Sequence, residues 1–487
     1  MLTIRIVGNV LVCVPNDISL MTPYILLEQE DWFEEDIRFV RGSLNKGESV
    51  IDIGANYGVY TLSMAQVVGE SGKVWSIDPS SMTMEHLECS ISKNQFGNIG
   101  LIRAGLSDQY SRAYLPKEIN PEMGAVVTEK IADRVYDEIE LLALDECEQR
   151  YGWTDIHFIK MDAEGHESRI IRGGHRFLSG QSPLILYELR AGSEINRTLI
   201  DEFAALGYRS YQLVPGLASG VLLPFGGAIE SLDPFMLNLY CCKSDRADVL
   251  HERGLLCKEP AQDIPQVSSD TNDWQSLIDS ESHARIYRNI WTQYARERER
   301  QPGWSAYRCA LNHYALSRLG ELDLTLRAEH LRKAFGLLVD LMHQDANISR
   351  LMSLVRVATE WGQRSLAVSV LRNLVAILER QALPLATEPF LAPQQIHKEA
   401  GGNLAIWQAR MIAESYIRLG AYSDFFSNDV NLPLLEALQR FGDTSPEMER
   451  RRQLIRIRFG LQPGPERNTL LSTDRAGNLN PEFWNGN

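Results

Sequence analysis

The sequence of 487 residues lacks any apolar run of the roughly 20 residues needed to span a bilayer, and its N-terminus lacks the basic and apolar regions of a secretory signal. Basic residues are scarce, since 49 Lys and Arg stand against 64 Asp and Glu and give a net charge of −15. Nucleic acids and anionic membranes both attract clustered basic side chains, so this balance argues against nonspecific binding to either. We therefore expect a cytoplasmic protein with no membrane span and no nucleic-acid partner.

Cysteine pairing motifs are also missing. None of the seven cysteines forms a C-x-x-C pair, so neither a zinc ribbon nor a disulfide framework is indicated. The odd number favours a reducing compartment. Cys241 and Cys242 are neighbours on a predicted strand, where successive side chains point to opposite faces, and we expect both to be core thiols.

The composition is that of a globular protein, with 44% hydrophobic and 23% charged residues. A chain of this length is expected to hold two or three domains. Changes in pattern predict an N-terminal extension at 1–45 and an α/β domain at 46–243. They also predict a linker at 244–280, marked by prolines and serines, and an all-α domain at 281–487.

Within 46–243, short apolar runs alternate with helical patterns, which predicts a mostly parallel sheet with helices on both faces. The last strand has no full-length helix before it and is expected to run antiparallel. Helices are also predicted at 28–41, 165–178 and 194–206, and short antiparallel strands within 113–145. The seven predicted sheet strands are residues 50–52, 74–78, 101–102, 157–162, 184–189, 208–213 and 236–241.

A weak internal repeat marks the C-terminal half. The segments 314–320, 356–362 and 415–420 each end a helical pattern with a glycine, and a further helical segment follows. A helix, a short glycine turn and a second helix form the unit of a tetratricopeptide-like solenoid, although the irregular spacing leaves an unrelated helical bundle open. Such an array offers a surface for the substrate, for a protein partner or for a second copy of the chain.

The most informative segment is the loop Asp52-x-Gly54-x-x-x-Gly58 after the first sheet strand. It matches neither G-x-G-x-x-G nor the Gly-Lys-Ser/Thr of a P-loop, and Asp52 would repel a phosphate. An acidic loop suits S-adenosylmethionine, which carries an ammonium and a sulfonium but no phosphate. Asp78, at the end of the second strand, can accept hydrogen bonds from both ribose hydroxyls. An NAD site and an incidental glycine turn are the alternatives.

A second dense motif spans residues 155–167. Lys160 and Asp162 share one face of a strand, and a lysine within an apolar strand needs a charged partner, which we expect to be Asp162 or Glu188. Ligands of open α/β sheets bind beyond the carboxyl ends of the strands. The acidic residues at or near such ends are Asp52, Asp78, Asp162 and Glu188.

These motifs resemble those of the FkbM family of S-adenosylmethionine-dependent methyltransferases. The resemblance covers about residues 10–242 and implies a class I methyltransferase fold, Rossmann-like, with a seven-stranded, mostly parallel sheet. It implies O-methylation of a hydroxyl on a sugar, a glycan or another hydroxylated metabolite. The segments that carry it are the loop at 52–58, the segment 105–108 and, most specifically, the segment 158–167.

The resemblance also implies roles for individual residues. The methionine end of the cofactor would contact the loop at 52–58, the ribose would contact Asp78, and the adenine would lie near Ser107 and Asp108. Asp78 stands where many members of the family have Glu. The full set of expected cofactor-binding residues is Asp52, Gly54, Ala55, Asn56, Tyr57, Gly58, Asp78, Ser107, Asp108 and Asp162.

Methyl transfer to oxygen requires alignment and a way to remove the hydroxyl proton. Asp162, Glu164 and His166 are the candidate bases, with Asp162 first by position and Lys160 beside it. His166 begins a predicted helix, whose dipole disfavours the imidazolium. A surface position for His166 and a structural role for Glu164 are the alternatives.

Two further hypotheses remain open. Asp162 and Glu188 could hold a divalent ion, which hard oxygen ligands would restrict to magnesium, although a metal-free site is favoured. A zincin motif is excluded because position 170 is Ile. The chain could instead be an interaction scaffold with an inactive methyltransferase domain.

Overall fold

In this computed structural model, the described residues are 1–116, 126–127, 130, 135–191, 194–227, 232–259, 273–380, 383–394, 403–440, 442 and 444–461. The strands are β1 (Leu2–Ile6), β2 (Val10–Val14), β3 (Ser49–Ile53), β4 (Lys73–Ile77), β5 (Ile99–Ile102), β6 (Gly105–Ser107), β7 (Ser111–Pro116), β8 (Tyr136–Ala143), β9 (Ile156–Met161), β10 (Leu184–Glu188), β11 (Arg190–Ala191), β12 (Glu194–Ile195), β13 (Arg209–Val214), β14 (Val221–Pro224) and β15 (Asn238–Cys242).

Helices precede, connect and follow these strands. They are α1 (Met21–Gln29), α2 (Glu35–Ser43), α3 (Val59–Val68), α4 (Ser81–Asn94), α5 (Leu144–Tyr151), α6 (Glu167–Gly173), α7 (His175–Gly180), α8 (Thr198–Ala205), α9 (Ser244–Glu252), α10 (Asp273–Ser280), α11 (Ala284–Gln293), α12 (Ala295–Arg298), α13 (Trp304–Ser317), α14 (Leu324–Gln344), α15 (Ile348–Trp361), α16 (Arg364–Glu379), α17 (Leu404–Gly420), α18 (Asp424–Ser427), α19 (Leu432–Arg440) and α20 (Pro446–Arg458). None of the described helices is long and apolar enough to cross a membrane.

The central sheet has eight strands in the order β14-β13-β15-β10-β9-β3-β4-β5. The five strands from β10 to β5 pair in parallel. The strand β15 lies antiparallel to both β10 and β13, as predicted. The α/β fold class is therefore confirmed, with one strand more than the seven predicted. The extra strand, β14, has only four residues, which are too few to show a periodic pattern.

The sheet carries a hydrophobic core on each face because its side chains alternate. On β3, Val50 packs into one core and Ile51 into the other. On β9, Phe158 joins the core of Val50 and Ile159 joins the core of Ile51. Strands buried on both faces explain the nearly continuous apolar runs of the sequence.

Three predicted helices differ in their bounds. The helix predicted at 28–41 corresponds to α2, which begins seven residues later than predicted. The first two residues of the predicted range belong to α1, which was not predicted and ends where Glu30 adopts a left-handed conformation with a φ of 59°. The helix predicted at 165–178 is divided into α6 and α7 at Gly174. Helix α8 begins at Thr198, four residues later than predicted. The antiparallel strands predicted within 113–145 correspond to β7 and β8, while residues 117–125, 128–129 and 131–134 lie outside the described part of the chain.

The regular structure in the described segments of the C-terminal half is helical, and successive helices from α13 to α17 pack against one another, while residues 383–394 form a non-helical segment. Gly362 ends α15 in a left-handed conformation, as the glycine pattern suggested. The tetratricopeptide-like assignment and the domain boundaries stay predictions. The segment predicted as a linker, 244–280, contains α9 and α10 at its two ends, and its residues 260–272 lie outside the described part.

The helical half is joined to the N-terminal extension by buried charges. The Arg451 guanidinium lies 3.2 Å from a carboxylate oxygen of Glu28 and 3.0 Å from one of Asp424. Both carboxylates are fully buried. Residues more than 390 positions apart in sequence therefore share one buried ion-pair cluster.

Candidate functional site

A cavity lies at the carboxyl ends of β3, β4 and β9. The segments 53–57, 77–80 and 160–164 form three of its walls. Residues from the N-terminal extension, including Trp32 and Glu34, form part of a fourth. The predicted site residues that line the cavity are Gly54, Ala55, Asn56, Tyr57, Asp78, Lys160, Asp162, Glu164 and His166.

The loop after β3 requires glycine where it crosses the end of β9. Gly54 has φ +76, and a Cβ at this position would lie 1.7 Å from the carbonyl oxygen of Asp162. Any larger residue would push these two strand ends apart. Gly54 thus allows the loop at 54–58 and the segment after β9 to approach each other closely.

Asp78 follows β4 and organises the floor of the cavity. Its carboxylate accepts hydrogen bonds from the backbone N–H groups of Asn56 at 2.8 Å and Ser80 at 2.9 Å, and from the Thr83 hydroxyl at 3.0 Å. Burial raises the pKa of Asp78 above its ordinary value, while these hydrogen bonds oppose the shift. A carboxylate has about four lone-pair directions, so Asp78 keeps capacity for a ligand hydroxyl.

Lys160 and Asp162 form the expected pair, with 2.8 Å between Lys160 Nζ and Asp162 Oδ2. Lys160 also lies over the ring of Tyr60, 5.1 Å from its centroid. Burial disfavours the charged lysine, but Asp162, Asp52 and Glu34 together raise the pKa of Lys160. The ammonium is therefore firmly charged and compensates several carboxylates at once.

The segment after Asp162 holds the other two candidate bases. Partial burial, Asp162 and Glu167 raise the pKa of Glu164 to about 7. Burial lowers the pKa of His166, and Arg169 adds to this effect. His166 Nδ1 is buried and has no hydrogen-bond partner among the described residues.

Glu167 fixes the backbone of this segment. Its carboxylate accepts hydrogen bonds from the N–H groups of Ala163 at 2.8 Å and Gly165 at 3.3 Å. Glu167 is buried and lies in the first turn of α6, where the helix dipole favours a negative charge. Glu167 thus positions Glu164 and His166 on either side of Gly165.

Some predicted site residues do not line the cavity. Asp52 is fully buried behind the loop, where its carboxylate accepts a 2.6 Å hydrogen bond from Thr61. Gly58 immediately precedes α3, and a Cβ at this position would lie 2.3 Å from Leu87 Cδ1. Ser107 is buried and donates to the exposed Asp108, beside α6.

Glu188 also lies outside the cavity lining, at the end of β10. Burial and the nearby carboxylates of Asp162, Glu164 and Glu167 raise the pKa of Glu188 to about 9. No group of three or more His, Cys, Asp or Glu side chains suited to a metal ion occurs in the described segments.

The sequence pattern missed Glu34, which enters the cavity from the N-terminal extension. Its carboxylate accepts a 2.6 Å hydrogen bond from the Tyr60 hydroxyl. Burial and the neighbouring Asp36 raise the pKa of Glu34 to about 7. The acidic run around Glu34 was a signal in the sequence, but nothing local showed that it reaches the sheet.

The cavity fits S-adenosylmethionine in its chemistry. Asn56 Oδ1 is buried at the cavity wall and accepts no hydrogen bond from the described part of the protein. It therefore calls for a ligand donor, such as an ammonium or a hydroxyl. The carboxylates of Asp78, Asp162 and Glu34 make the surroundings suitable for a cation.

Comparison with known families agrees with this geometry. Residues 52–210 match the model of the methyltransferase FkbM domain. The chain therefore contains an FkbM methyltransferase domain, which confirms the resemblance found in the sequence.

Individual relatives match over limited stretches. A Sulfurisphaera tokodaii protein described as a probable cobalt-precorrin-6B C(15)-methyltransferase (decarboxylating) is 32% identical over 82 residues, which are 16% of this chain and 43% of that protein. The methyltransferase FkbM of Methylobacillus flagellatus is 19% identical with a TM-score of 0.28, covering 41% of this chain and 44% of that one. Fibrillarin of Aeropyrum pernix is 13% identical with a TM-score of 0.27, covering 42% and 73%. The chain thus spans less than half the length of the first two.

Proposed function

We propose that this protein is an S-adenosylmethionine-dependent O-methyltransferase that acts on a hydroxyl of a sugar, a glycan or another hydroxylated metabolite. One observation carries the proposal. The cavity over β3, β4 and β9 brings the loop at 54–57 and Asp78 to one side and the segment 160–166 to the other. In this proposal the first side would bind the nucleoside of the cofactor, and the second side would accept the proton of the substrate hydroxyl.

The nucleoside-binding half would hold the cofactor through few side chains. Asp78 has remaining acceptor capacity for one ribose hydroxyl. Asn56 Oδ1 offers a buried acceptor to a ligand donor. When bound, S-adenosylmethionine supplies a methyl group on a positively charged sulfur.

The charge of the surroundings supports a cationic ligand. The carboxylates of Glu34, Asp52 and Asp162 lie near Lys160, which is the cation they share. An excess of negative charge in a partly buried site favours a ligand that carries positive charge. This same excess disfavours the pyrophosphate of a dinucleotide.

The opposite half offers two proton acceptors to a hydroxyl. Glu164 has a pKa of about 7, close to the value at which a general base is most effective near neutral pH. The lowered pKa of His166 keeps its imidazole neutral, and its Nδ1 is free of partners in the described structure. Asp162 Oδ2 is engaged by Lys160, which leaves Oδ1 for orientation of the acceptor.

Calorimetric titration of the full chain tests the cofactor part of the proposal. We expect S-adenosylmethionine and S-adenosylhomocysteine to bind and NADH not to bind. The Asp78→Asn variant should weaken cofactor binding about 10- to 100-fold, because a hydrogen bond to a charged group contributes about 1.5–3 kcal/mol. The exposed Asp17 provides a matched control, Asp17→Asn, which should bind like the unmodified protein. Failure of the unmodified protein to bind S-adenosylmethionine would favour a scaffold, and binding of NADH would favour a dinucleotide enzyme.

A further inference from the structure

A second cavity adjoins the first at Glu34, which lines both. It lies between the antiparallel end of the sheet and the helical half, and we call it the interdomain cleft. Three parts of the chain line the interdomain cleft. The N-terminal extension contributes Phe33, Glu34 and Asp36, the segment before β15 contributes Phe235, and the helical half contributes Arg364 and Tyr422.

The walls of the interdomain cleft are held together by specific hydrogen bonds. Asp233 accepts hydrogen bonds from the backbone N–H of Ser365 at 2.8 Å and from its hydroxyl at 2.6 Å. The Tyr422 hydroxyl donates to the carbonyl of Phe235 at 2.6 Å. The helical half thus forms a fixed wall of a space that opens toward the methyl-transfer site.

The arginines of the interdomain cleft are engaged by protein groups. Arg364 donates to the carbonyls of Leu419 at 2.9 Å and Ala421 at 2.8 Å. Arg356 pairs with Glu360 at 2.9 Å and Arg318 pairs with the same carboxylate. Arg38, at the exposed rim, donates to the carbonyl of Ala218 at 3.1 Å, and of the buried arginine nitrogens in the cleft only the Nε of Arg318 is left without a partner among the described residues. A phosphate group would have to compete with most of these bonds, so the cleft favours a neutral or cationic ligand over a phosphorylated one.

The inner end of the interdomain cleft is acidic. Glu34 receives the hydrogen bond of Tyr60, and Asp36 receives one from the Asn238 amide at 3.2 Å. Each carboxylate retains acceptor capacity beyond these bonds. Two neighbouring carboxylates in a partly buried place are best satisfied by a ligand rich in hydroxyl or ammonium donors.

Aromatic rings lie next to these carboxylates. The ring of Tyr422 lies 5.0 Å from that of Phe33 and 5.5 Å from that of Phe235, measured between centroids. All three rings are half-buried. The Arg364 guanidinium already lies over the rings of Phe235 and Tyr422, 4.6 Å and 4.8 Å from their centroids. The remaining surface of these two rings and the ring of Phe33 offer apolar contact area to the C–H groups of a sugar ring.

We propose that the interdomain cleft is a subsite for the part of the acceptor that lies beyond the methylated hydroxyl. Its ligand is a polyhydroxylated molecule, neutral or amine-bearing, without phosphate. The helical half is then part of the acceptor site. This inference rests on the proposed function only in identifying the ligand of the cleft as the acceptor.

Saturation-transfer difference NMR on the full chain tests the subsite directly. The probes are chitotriose as a neutral saccharide, its fully deacetylated trimer as an amine-bearing one, and glucose 6-phosphate as an anionic one. We expect transfer to at least one of the two trimers and none to the phosphate. Binding of the neutral trimer alone would show that the cleft recognises hydroxyl groups of its ligand. Stronger binding of the deacetylated trimer would show that it recognises an ammonium group.

Variants locate the binding. Tyr422→Ala should weaken trimer binding about tenfold, because an aromatic contact contributes up to about 1.5 kcal/mol. Tyr422→Phe keeps the ring and loses only the hydrogen bond to the carbonyl of Phe235, so it should retain most of the binding that Tyr422→Ala loses. Tyr110→Ala removes an exposed tyrosine that lines neither cavity and should change nothing. Asp36→Asn leaves the rings in place and should weaken the deacetylated trimer more than the neutral one. This variant serves as the readout if Tyr422→Ala does not fold.

Three results overturn the inference: no transfer to either trimer, transfer to the phosphate probe alone, or trimer binding that is unaffected by both Tyr422→Ala and Asp36→Asn. Calorimetry with S-adenosylmethionine on the same samples reports separately on the proposed function. Loss of cofactor binding with retained trimer binding would leave the subsite standing and remove the methyltransferase proposal.

Discussion

Replacing Lys160 by methionine removes the cation that several carboxylates of the site share. The side chain of Lys160 is 9% exposed, and its Nζ lies 2.8 Å from Asp162 Oδ2. Asp52 and Glu34 also stabilise its charge. Methionine has a similar length and keeps the apolar contacts of the stem, so the loss of charge is the main change.

The expected destabilisation follows from the burial of the pair. Removing one partner of a buried ion pair costs about 3–5 kcal/mol, because the other charge is left uncompensated. The side chain of Asp162 is 38% exposed, and water therefore compensates part of its charge. We expect a loss of about 3 kcal/mol in the free energy of unfolding, at the lower end of the range for buried pairs. In a domain of this size, that corresponds to a melting temperature lower by about 6–12 °C.

The loss of stability in Lys160→Met should depend on pH. Without Lys160, the pKa values of Asp52 and Glu34 rise further above those of the unfolded chain, because burial already raises them. A carboxyl group whose pKa is raised by folding destabilises the folded state as pH increases through the interval between the two values. The deficit of Lys160→Met should therefore be largest at pH 8 and should shrink as pH falls toward 5.

Thermal unfolding of the unmodified protein and Lys160→Met at pH 8 and pH 5 is the assay. Lys46→Met, at an exposed turn, is the matched control and should lie within about 0.5 kcal/mol of the unmodified protein. The double variant Lys160→Met with Asp162→Asn should regain part of the loss, because one uncompensated charge is gone. Equal deficits at both pH values, or a deficit no larger than that of the control, would refute the reasoning.

Three further changes test other parts of the structure. Gly54→Ala should abolish cofactor binding in calorimetry, because its Cβ would lie 1.7 Å from a backbone oxygen, whereas Gly180→Ala meets no atom within 4 Å and should bind normally. Glu188→Gln should raise the melting temperature, and the gain should grow between pH 5 and pH 9. The reason is that folding raises the pKa of Glu188 from about 4.5 to about 9, so its ionisation destabilises the folded state. A gain independent of pH would contradict this. Arg451→Met should cost about 3–5 kcal/mol and expose the chain to limited proteolysis, since it leaves two buried carboxylates unpaired; Arg296→Met, at an exposed position, should not.

The sequence predicted the sheet well because its signals are local. Apolar runs ending in Asp52 and Asp78 mark strands buried on both faces, and the glycine loop marks the turn between β3 and α3. The break between α1 and α2 was missed because Glu30 adopts a left-handed conformation without being a glycine. No sequence signal marks such a position, since a glutamate is compatible with a continuing helix.

In the site, too, local contacts could be predicted from the sequence and contacts between distant segments could not. Strand alternation and the cost of an unpaired lysine predicted a carboxylate partner for Lys160, either Asp162 or Glu188. The structure shows that the partner is Asp162, at 2.8 Å. Glu34 could not be placed, because its contact with Tyr60 depends on how the N-terminal extension crosses the sheet. The interdomain cleft was unpredictable for the same reason, since its residues belong to three separate parts of the chain.

The geometry changes the order of the candidate bases. Position along the strand favoured Asp162, but one of its carboxylate oxygens is already engaged by Lys160. His166 offers a buried nitrogen without a partner in the described structure, and burial lowers the pKa of its imidazole below the ordinary value of 6.5. Glu164, with a pKa of about 7, is ionised in part at neutral pH.

We therefore infer that proton removal belongs to His166 or Glu164 and that Asp162 orients the acceptor. An NMR titration of the His166 ring, assigned by comparison with His166→Gln, should show a midpoint below 6.5, because desolvation disfavours the imidazolium. A midpoint above 6.5 would contradict the effect of burial on this ring and would favour Glu164 as the base.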